Sequence, residues 1–315
     1  MEKTIIYRIV GEDALGVPRI FKQCRPAIFY STLANFSRRV EVAAPYICIF
    51  YRVLLMPINY RKVRYNIMYK FKFKHGEIVY NDKGFREWQT VENIEEYKPS
   101  EIALVIVDMW DKHWSKGATY RCGILADKIN AVAERARKSG IFIVHAPSDT
   151  MAAYENTPAR NRALDIELSE CVETVEIKQY SSPIDASDGG SDSIDENPPN
   201  TLVWKKQTDK IIIDHTRDII SDEGKRIYSH FKKRGIKLVL YAGVHTNMCI
   251  LGRSFAIMQM LRYGLKTALI RDLTDAMYNP EKPPYVGHDE GTQLVIGYIE
   301  KFYCPTIDSS QILGK

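Results

Sequence analysis

No Cys-x-x-Cys pair occurs in the 315 residues, and the six cysteines, at 24, 48, 122, 171, 249 and 304, are scattered with no histidine at ligand spacing. A disulfide framework and a zinc finger are therefore not expected. No Gly-x-Gly-x-x-Gly follows the first buried strand, and no Gly-x-x-x-x-Gly-Lys-Ser/Thr occurs at all, so dinucleotide and P-loop functions lack support. Uncharged apolar runs of membrane length are missing too. The best candidate, Val40 to Ile58, contains Glu41, Arg52 and two prolines, and each central charge costs about 2.5–3.5 kcal/mol on insertion scales. It also lies too far from Met1, and lacks the small-residue pattern, for a cleavable signal. With 18 Gly and 14 Pro the chain has too little of either for a collagen-like or disordered class. A surplus of one charge is confined to one end: residues 1–74 hold 14 Lys/Arg against 4 Asp/Glu, while residues 75–315 hold 30 against 35. The overall charge of +5 therefore does not indicate a nucleic-acid partner. These features together predict a cytoplasmic protein, with no membrane contact through the basic end.

What is present reads as a folded α/β protein in three stretches. Residues 1–65 form a basic arm without steady helical or strand period and with no legible role. Met56 and Met68 stand just ahead of the orderly region, so the arm is open to being upstream sequence, which N-terminal mass measurement decides. Residues 66–100 predict a β-hairpin and linker: Tyr69 to Lys74 alternates apolar and basic, and Asn81-Asp82-Lys83-Gly84 supplies the turn. Lys72 and Lys74 read as a solvated strand face. Residues 101–315 are the main domain. Ile102 to Val107 is an uninterrupted apolar run of the kind buried on both faces of a parallel sheet. Helical spacing follows over Cys122–Lys138, then a strand at Ile141–Val144, an acidic aperiodic excursion over Ser181–Asn200, and a short strand at Thr201–Trp204. The pattern continues with a helix over Asp222–Arg234, a strand at Leu238–Ala242, a helix over Asn247–Tyr263, a strand at Thr267–Ile270 and a helix over Asp289–Phe302. Such alternation predicts an open, mostly parallel, Rossmann-like sheet with helices on both faces, three layers in all.

Ligands in such sheets gather beyond the carboxyl ends of the strands. Those positions here hold Asp108, Trp110, His113 and Trp114, then His145, then Lys205 and Lys206, then His245 and Cys249. Asp108 directly follows the Ile102–Val107 apolar run, which places an ionisable group where the sheet stops. Cys249 falls in the first turn of the predicted 247–263 helix, where Thr246 could cap and the helix terminus would favour the thiolate. A lysine at the end of the 201–204 strand would hold Asp108 anionic while Asp108 takes the thiol proton. Lys205 and Lys206 both fit, and only one of two neighbours on a strand points inward. For each residue a plain structural role competes: a capping Asp, a core Cys, a packed aromatic.

Val-Asp108-Met-Trp-Asp, a mid-chain Lys, and Gly-Val-His245-Thr-Asn-Met-Cys249-Ile resemble the isochorismatase-like cysteine hydrolase superfamily, which includes nicotinamidases, over about Glu101 to Ile307. The resemblance implies a catalytic triad of Asp108, Lys206 (or Lys205) and Cys249, and a cis peptide before His245. It also implies an oxyanion hole from the N–H groups of His245 and Cys249, a homo-oligomer, and hydrolysis of a small amide-type bond without a cofactor. Trp110, His113, Trp114, Lys205, His145 and Tyr285 are the candidate substrate pocket. Where nicotinamidases carry a histidine metal site, this chain offers His145-Ala-Pro-Ser-Asp149 with no second nearby histidine, so no catalytic metal is expected. The competing expectations are the vinyl ether chemistry of the isochorismatase branch, a redox thiol, and a silent scaffold of the same fold.

Overall fold

The alternating Tyr-Lys-Phe-Lys-Phe-Lys segment opens the first strand of the computed structural model, which describes residues 68–314. The basic arm of residues 1–65 and the apolar stretch at 40–58 lie outside the described residues. Among those described, no helix is long and apolar enough to cross a membrane. Strand β1 (Tyr69–Tyr80) pairs antiparallel with β2 (Arg86–Tyr97). The turn between them carries Gly84 at φ 80°, and the Asn81 side chain accepts the Lys83 and Phe85 N–H groups at 3.0 Å each. Left-handed backbone is the reason a glycine stands there. Phe71 and Phe73 are fully buried on one face. On the other face Lys70 pairs with Glu96 at 3.8 Å and Lys72 with Glu92, and Lys74 reaches Asp308 at 3.4 Å.

The chain then runs through β3 (Ile102–Val107), α1 (Lys116–Ser139), β4 (Phe142–Ala146), α2 (Pro158–Leu164), β5 (Ile219–Ile220), α3 (Gly224–Arg234) and β6 (Leu238–Val244). It ends with α4 (Cys249–Gly252), α5 (Ile257–Arg262), β7 (Lys266–Asp275), α6 (His288–Phe302), β8 (Thr306–Ile307) and α7 (Ser310–Leu313). The strands make one eight-stranded sheet in the order β2-β1-β8-β7-β6-β3-β4-β5, parallel from β8 to β5. The hairpin joins this sheet through the Lys74–Thr306 pairing, so it extends the main domain at its edge.

Strand β3 shows why three layers form. Ala103, Val105 and Val107 enter one core, with Ile227 and Phe231 of α3 and Val295 and Ile299 of α6. Ile102, Leu104 and Ile106 enter the other, with Ile129, Val132 and Ala136 of α1 and Phe71 of the hairpin. All six β3 residues have no solvent exposure, the signature of a central strand covered on both faces. Helix α1 begins at Ser115, whose hydroxyl accepts the Ala118 N–H at 3.2 Å, and stops at Gly140 in the left-handed region at φ 100°.

Two expected elements differ. Thr201–Trp204 is not a strand: Leu202 is exposed, Val203 and Trp204 pack on Trp114, and the edge of the sheet is taken by the fully buried pair Ile219–Ile220. The 247–263 helix is broken into α4 and α5, because after Gly252 the backbone of Arg253 turns extended at ψ 157°. Glycine weakens a helix interior by roughly 1 kcal/mol relative to alanine, and the break falls beside it.

Candidate functional site

The sheet's carboxyl edge brings three chain segments onto one carboxyl group. Beyond β3 the backbone at Asp108 turns to φ 46°, which swings a fully buried side chain under the loop after β4. Its Oδ1 accepts the Ser148 N–H at 2.7 Å, and its Oδ2 lies 3.3 Å from Arg253 Nε. Arg253 also reaches Asp149 Oδ2 at 3.5 Å. From β6 the chain passes through a cis Val244–His245 peptide into the turn that starts α4, whose first residue is Cys249. Cys249 is partly exposed as a residue, but its thiol is buried near the Asp108 carboxyl and the Arg253 guanidinium, close enough that each acts on the protonation of the others.

Complete burial raises the Asp108 pKa above the ordinary carboxylate range, opposed by the Arg253 charge, the thiol and the Ser148 N–H. Burial first, and then the Asp108 charge, push the Cys249 thiol well above its ordinary value, while Arg253 and the backbone N–H of His245 pull it back. Burial works against the Arg253 cation, but Asp108 and Cys249 outweigh it and raise its pKa. At neutral pH the sulfur therefore keeps its proton beside a carboxyl group of raised basicity, with a fixed cation over both. This corrects the expectation that a helix terminus favours the thiolate. Helix α4 has four residues, too short for a useful dipole, and Thr246 bonds Thr274 Oγ1 at 2.6 Å rather than capping it.

The cation beside Asp108 is likewise not the expected lysine. Lys206 Nζ is held by Asp209 at 2.6 Å on the surface, and Lys205 is exposed. The backbone explains both. Asp111 Oδ1 accepts the Lys205 N–H at 3.0 Å, and the Lys206 carbonyl accepts the Asp111 N–H at 2.9 Å, which turns the two side chains outward. The inward residue of this segment is Gln207, bridged to Trp110 and bonded to His145 Nδ1 at 3.0 Å. Arg253 escaped the sequence reading although one signal pointed to it: it stands four residues after Cys249, on the same side of the helix assumed there.

The remaining candidates divide. Trp110, His113 and Trp114 are buried beside the site, where Trp204 stacks on Trp110 at 4.2 Å between ring centroids and His113 meets His245 edge-on at 5.0 Å. Burial pushes the pKa of His113 down to about 4 and that of His245 down to about 3, so both rings are neutral at pH 7, and His245 Nε2 is buried without a partner. A cavity of about 330 Å³ opens between His113, Trp114, Tyr120 and Glu196. His145 is instead a strut, fully buried between Gln207 and Asp218, whose Oδ2 is 3.1 Å from its Nε2. Tyr285 is 71% exposed beyond the cis Pro283–Pro284 bond and lines no part of this arrangement. Among the described residues no group of three or more His, Cys, Asp or Glu side chains is gathered closely enough to hold a metal ion.

The acidic excursion is anchored near the same edge. Asp192 pairs with Arg121 at 2.8 Å and lies 3.3 Å from His288, and Asp275 pairs with Arg121 at 2.9 Å and with His288 at 3.0 Å.

No family model and no curated protein matches this sequence. Among solved structures the chain is similar in fold to a cysteine hydrolase from Pseudomonas syringae pv. phaseolicola 1448A, at 14% identity and TM-score 0.43, over 69% of this chain and 95% of that one. It is also similar to an isochorismatase from Pseudomonas putida KT2440, at 13% identity and TM-score 0.38, over 68% and 91% of the two chains. A third is N-carbamoylsarcosine amidase from Thermoplasma acidophilum, at 14% identity and TM-score 0.35, over 66% and 96%.

Proposed function

We propose that this chain is a cysteine-dependent hydrolase of a small amide-type C–N bond, with Cys249 as nucleophile, Asp108 as proton acceptor and Arg253 as the cation that orders them. The observation that carries this reading is the meeting of the Cys249 thiol, the buried Asp108 carboxylate and the Arg253 guanidinium at the carboxyl ends of β3 and β6. Asp108 takes the thiol proton as sulfur attacks the carbonyl carbon, and the oxyanion that forms is met by the backbone N–H groups of His245 and Cys249. Collapse of the tetrahedral intermediate breaks the C–N bond, and the leaving amine receives the proton from Asp108. Water then attacks the thioester, with Asp108 again accepting a proton, and the acid product leaves with the thiol restored. Burial suits Asp108 to this work, because a carboxylate of raised pKa is a stronger base than an exposed one.

An ammonia-release screen over small amides and ureides, run with the wild type, Cys249→Ala and Asp108→Asn, tests the assignment. Turnover of any amide by wild type and by neither variant supports it. Turnover of an amide that survives in Cys249→Ala would show that the thiol is not the nucleophile.

A further inference from the structure

At the opposite end of the sheet lies a cavity of about 580 Å³, lined by Arg137, Arg162, Arg217 and Arg234 together with Phe142 and Asp218. It exists because β5 is two residues long: it pairs only with Val144 and His145, and leaves Phe142 and Ile143 of β4 open on that side. We propose that this cavity binds a small phosphoryl or sulfate-type oxyanion between Arg162, Arg217 and Arg234.

The distribution of counter-charges carries the proposal. Arg137 is neutralised by buried Asp218 at 2.7 Å and Arg217 by Asp214 at 2.6 Å. Arg162 has no carboxylate partner among the described residues: it donates to the backbone carbonyls of Asp218 and of His215, the latter at 2.7 Å. Arg234 has none either, and its guanidinium lies 3.9 Å over the Phe142 ring. Burial and then the Arg162 charge disfavour the Arg234 cation. Two like charges facing one concavity repel unless an anion enters, and guanidinium forks match tetrahedral oxyanions in geometry as well as charge. The volume is that of a small-molecule site. The site stands at the amino end of β4, while Asp108 and Cys249 stand at the carboxyl edge, so occupancy here is independent of the hydrolase reading.

Calorimetric titration of inorganic phosphate into the full chain, with chloride holding ionic strength constant, provides the test. Saturable binding of one phosphate is expected. Arg234→Gln should weaken it roughly 10- to 100-fold, the loss of a charge-assisted hydrogen bond. Lys233→Gln removes the same charge from the neighbouring exposed position and should leave affinity within about twofold. Because Arg234 also packs on Phe142, Arg217→Gln serves as a second variant, with circular dichroism confirming the fold of each. Phosphate that fails to saturate overturns the proposal. So does an equal loss in Lys233→Gln, or an oligonucleotide that binds while phosphate does not compete.

Discussion

Arg253 Nε stands 3.3 Å from Asp108 Oδ2, and this pair, with no lysine in it, sets the charge of the candidate site. Arg253 opposes the burial that raises the Asp108 pKa. Removing it in Arg253→Gln should shift the acid limb of the kcat/KM profile upward by about one to three pH units. The rate at neutral pH should fall roughly 100-fold. Arg253→Lys should restore part of both. Lys206→Ala should stay within about twofold of wild type, since an exposed pair such as Lys206–Asp209 contributes little. A collapse of activity in Lys206→Ala with Arg253→Gln unaffected would return the role to the lysine.

The resting thiol should be slow, not fast, toward alkylation. Asp108 raises the Cys249 pKa as well as serving as its proton acceptor, so Asp108→Asn is expected to move two properties in opposite directions. Iodoacetamide should label Cys249 faster in Asp108→Asn than in wild type at pH 8, because less charge opposes the thiolate. Amide hydrolysis should drop by about 100-fold or more through loss of the base. Labelling that slows along with hydrolysis would show that Asp108 favours the thiolate in the resting protein.

Much of this was legible in the residues. The Ile102–Val107 run could only be a strand covered twice, the Asn81–Gly84 turn could only join two strands, and the polar residues directly after β3 and β6 fell at the edge where ligands collect. The cation was not legible, because its identity depends on which way an irregular segment faces. Lys205 and Lys206 were read on a strand that does not form, and Asp111 holds their backbone so that Gln207 points inward instead. The break after Gly252 that frees Arg253 toward Asp108 has a local cause, but helical spacing continues through it and hides it.

Asp108 should also tax stability. Its folded pKa lies above the unfolded value, so folding favours the protonated acid. The wild type is therefore penalised above the folded pKa, and the penalty fades as pH falls toward the ordinary value of 3.8. Asp108→Asn keeps an acceptor for the Ser148 N–H and loses the buried charge. Its melting temperature should exceed that of the wild type at pH 7, by a few degrees for each ~1 kcal/mol, and the two should converge near pH 4. A variant less stable than wild type at pH 7 would mean that the ion pair with Arg253 outweighs desolvation.

Gly243 is a backbone position with no room for a side chain. Its φ is 118°, and a methyl group there would run into the carbonyl oxygen of Val107 on the neighbouring strand. Gly243→Ala should lose about 3 kcal/mol or more in urea unfolding. The neighbouring core change Ala242→Gly, which adds no atom, should cost less. Equal losses would show that β6 tolerates the displacement.

The anchorage of the acidic excursion should loosen with rising pH. Burial alone would lower the His288 pKa, but its hydrogen bond to Asp275 and the Asp275 charge raise it above 6.5. A histidine held charged in this way contributes stability that is present in full below the unfolded pKa and is lost as pH rises through the folded value. His288 also faces Asp192 and Arg121, so its deprotonation removes one of the two cations that hold Asp192 in place. Limited proteolysis within residues 186–200 should accordingly be faster at pH 8.5 than at pH 6 in the wild type. Asp192→Asn should be cleaved quickly at both, having lost the anchoring charge. His288→Gln should lie near the wild type's alkaline rate throughout, and a cleavage rate that still depends on pH in that variant would place the titrating group elsewhere.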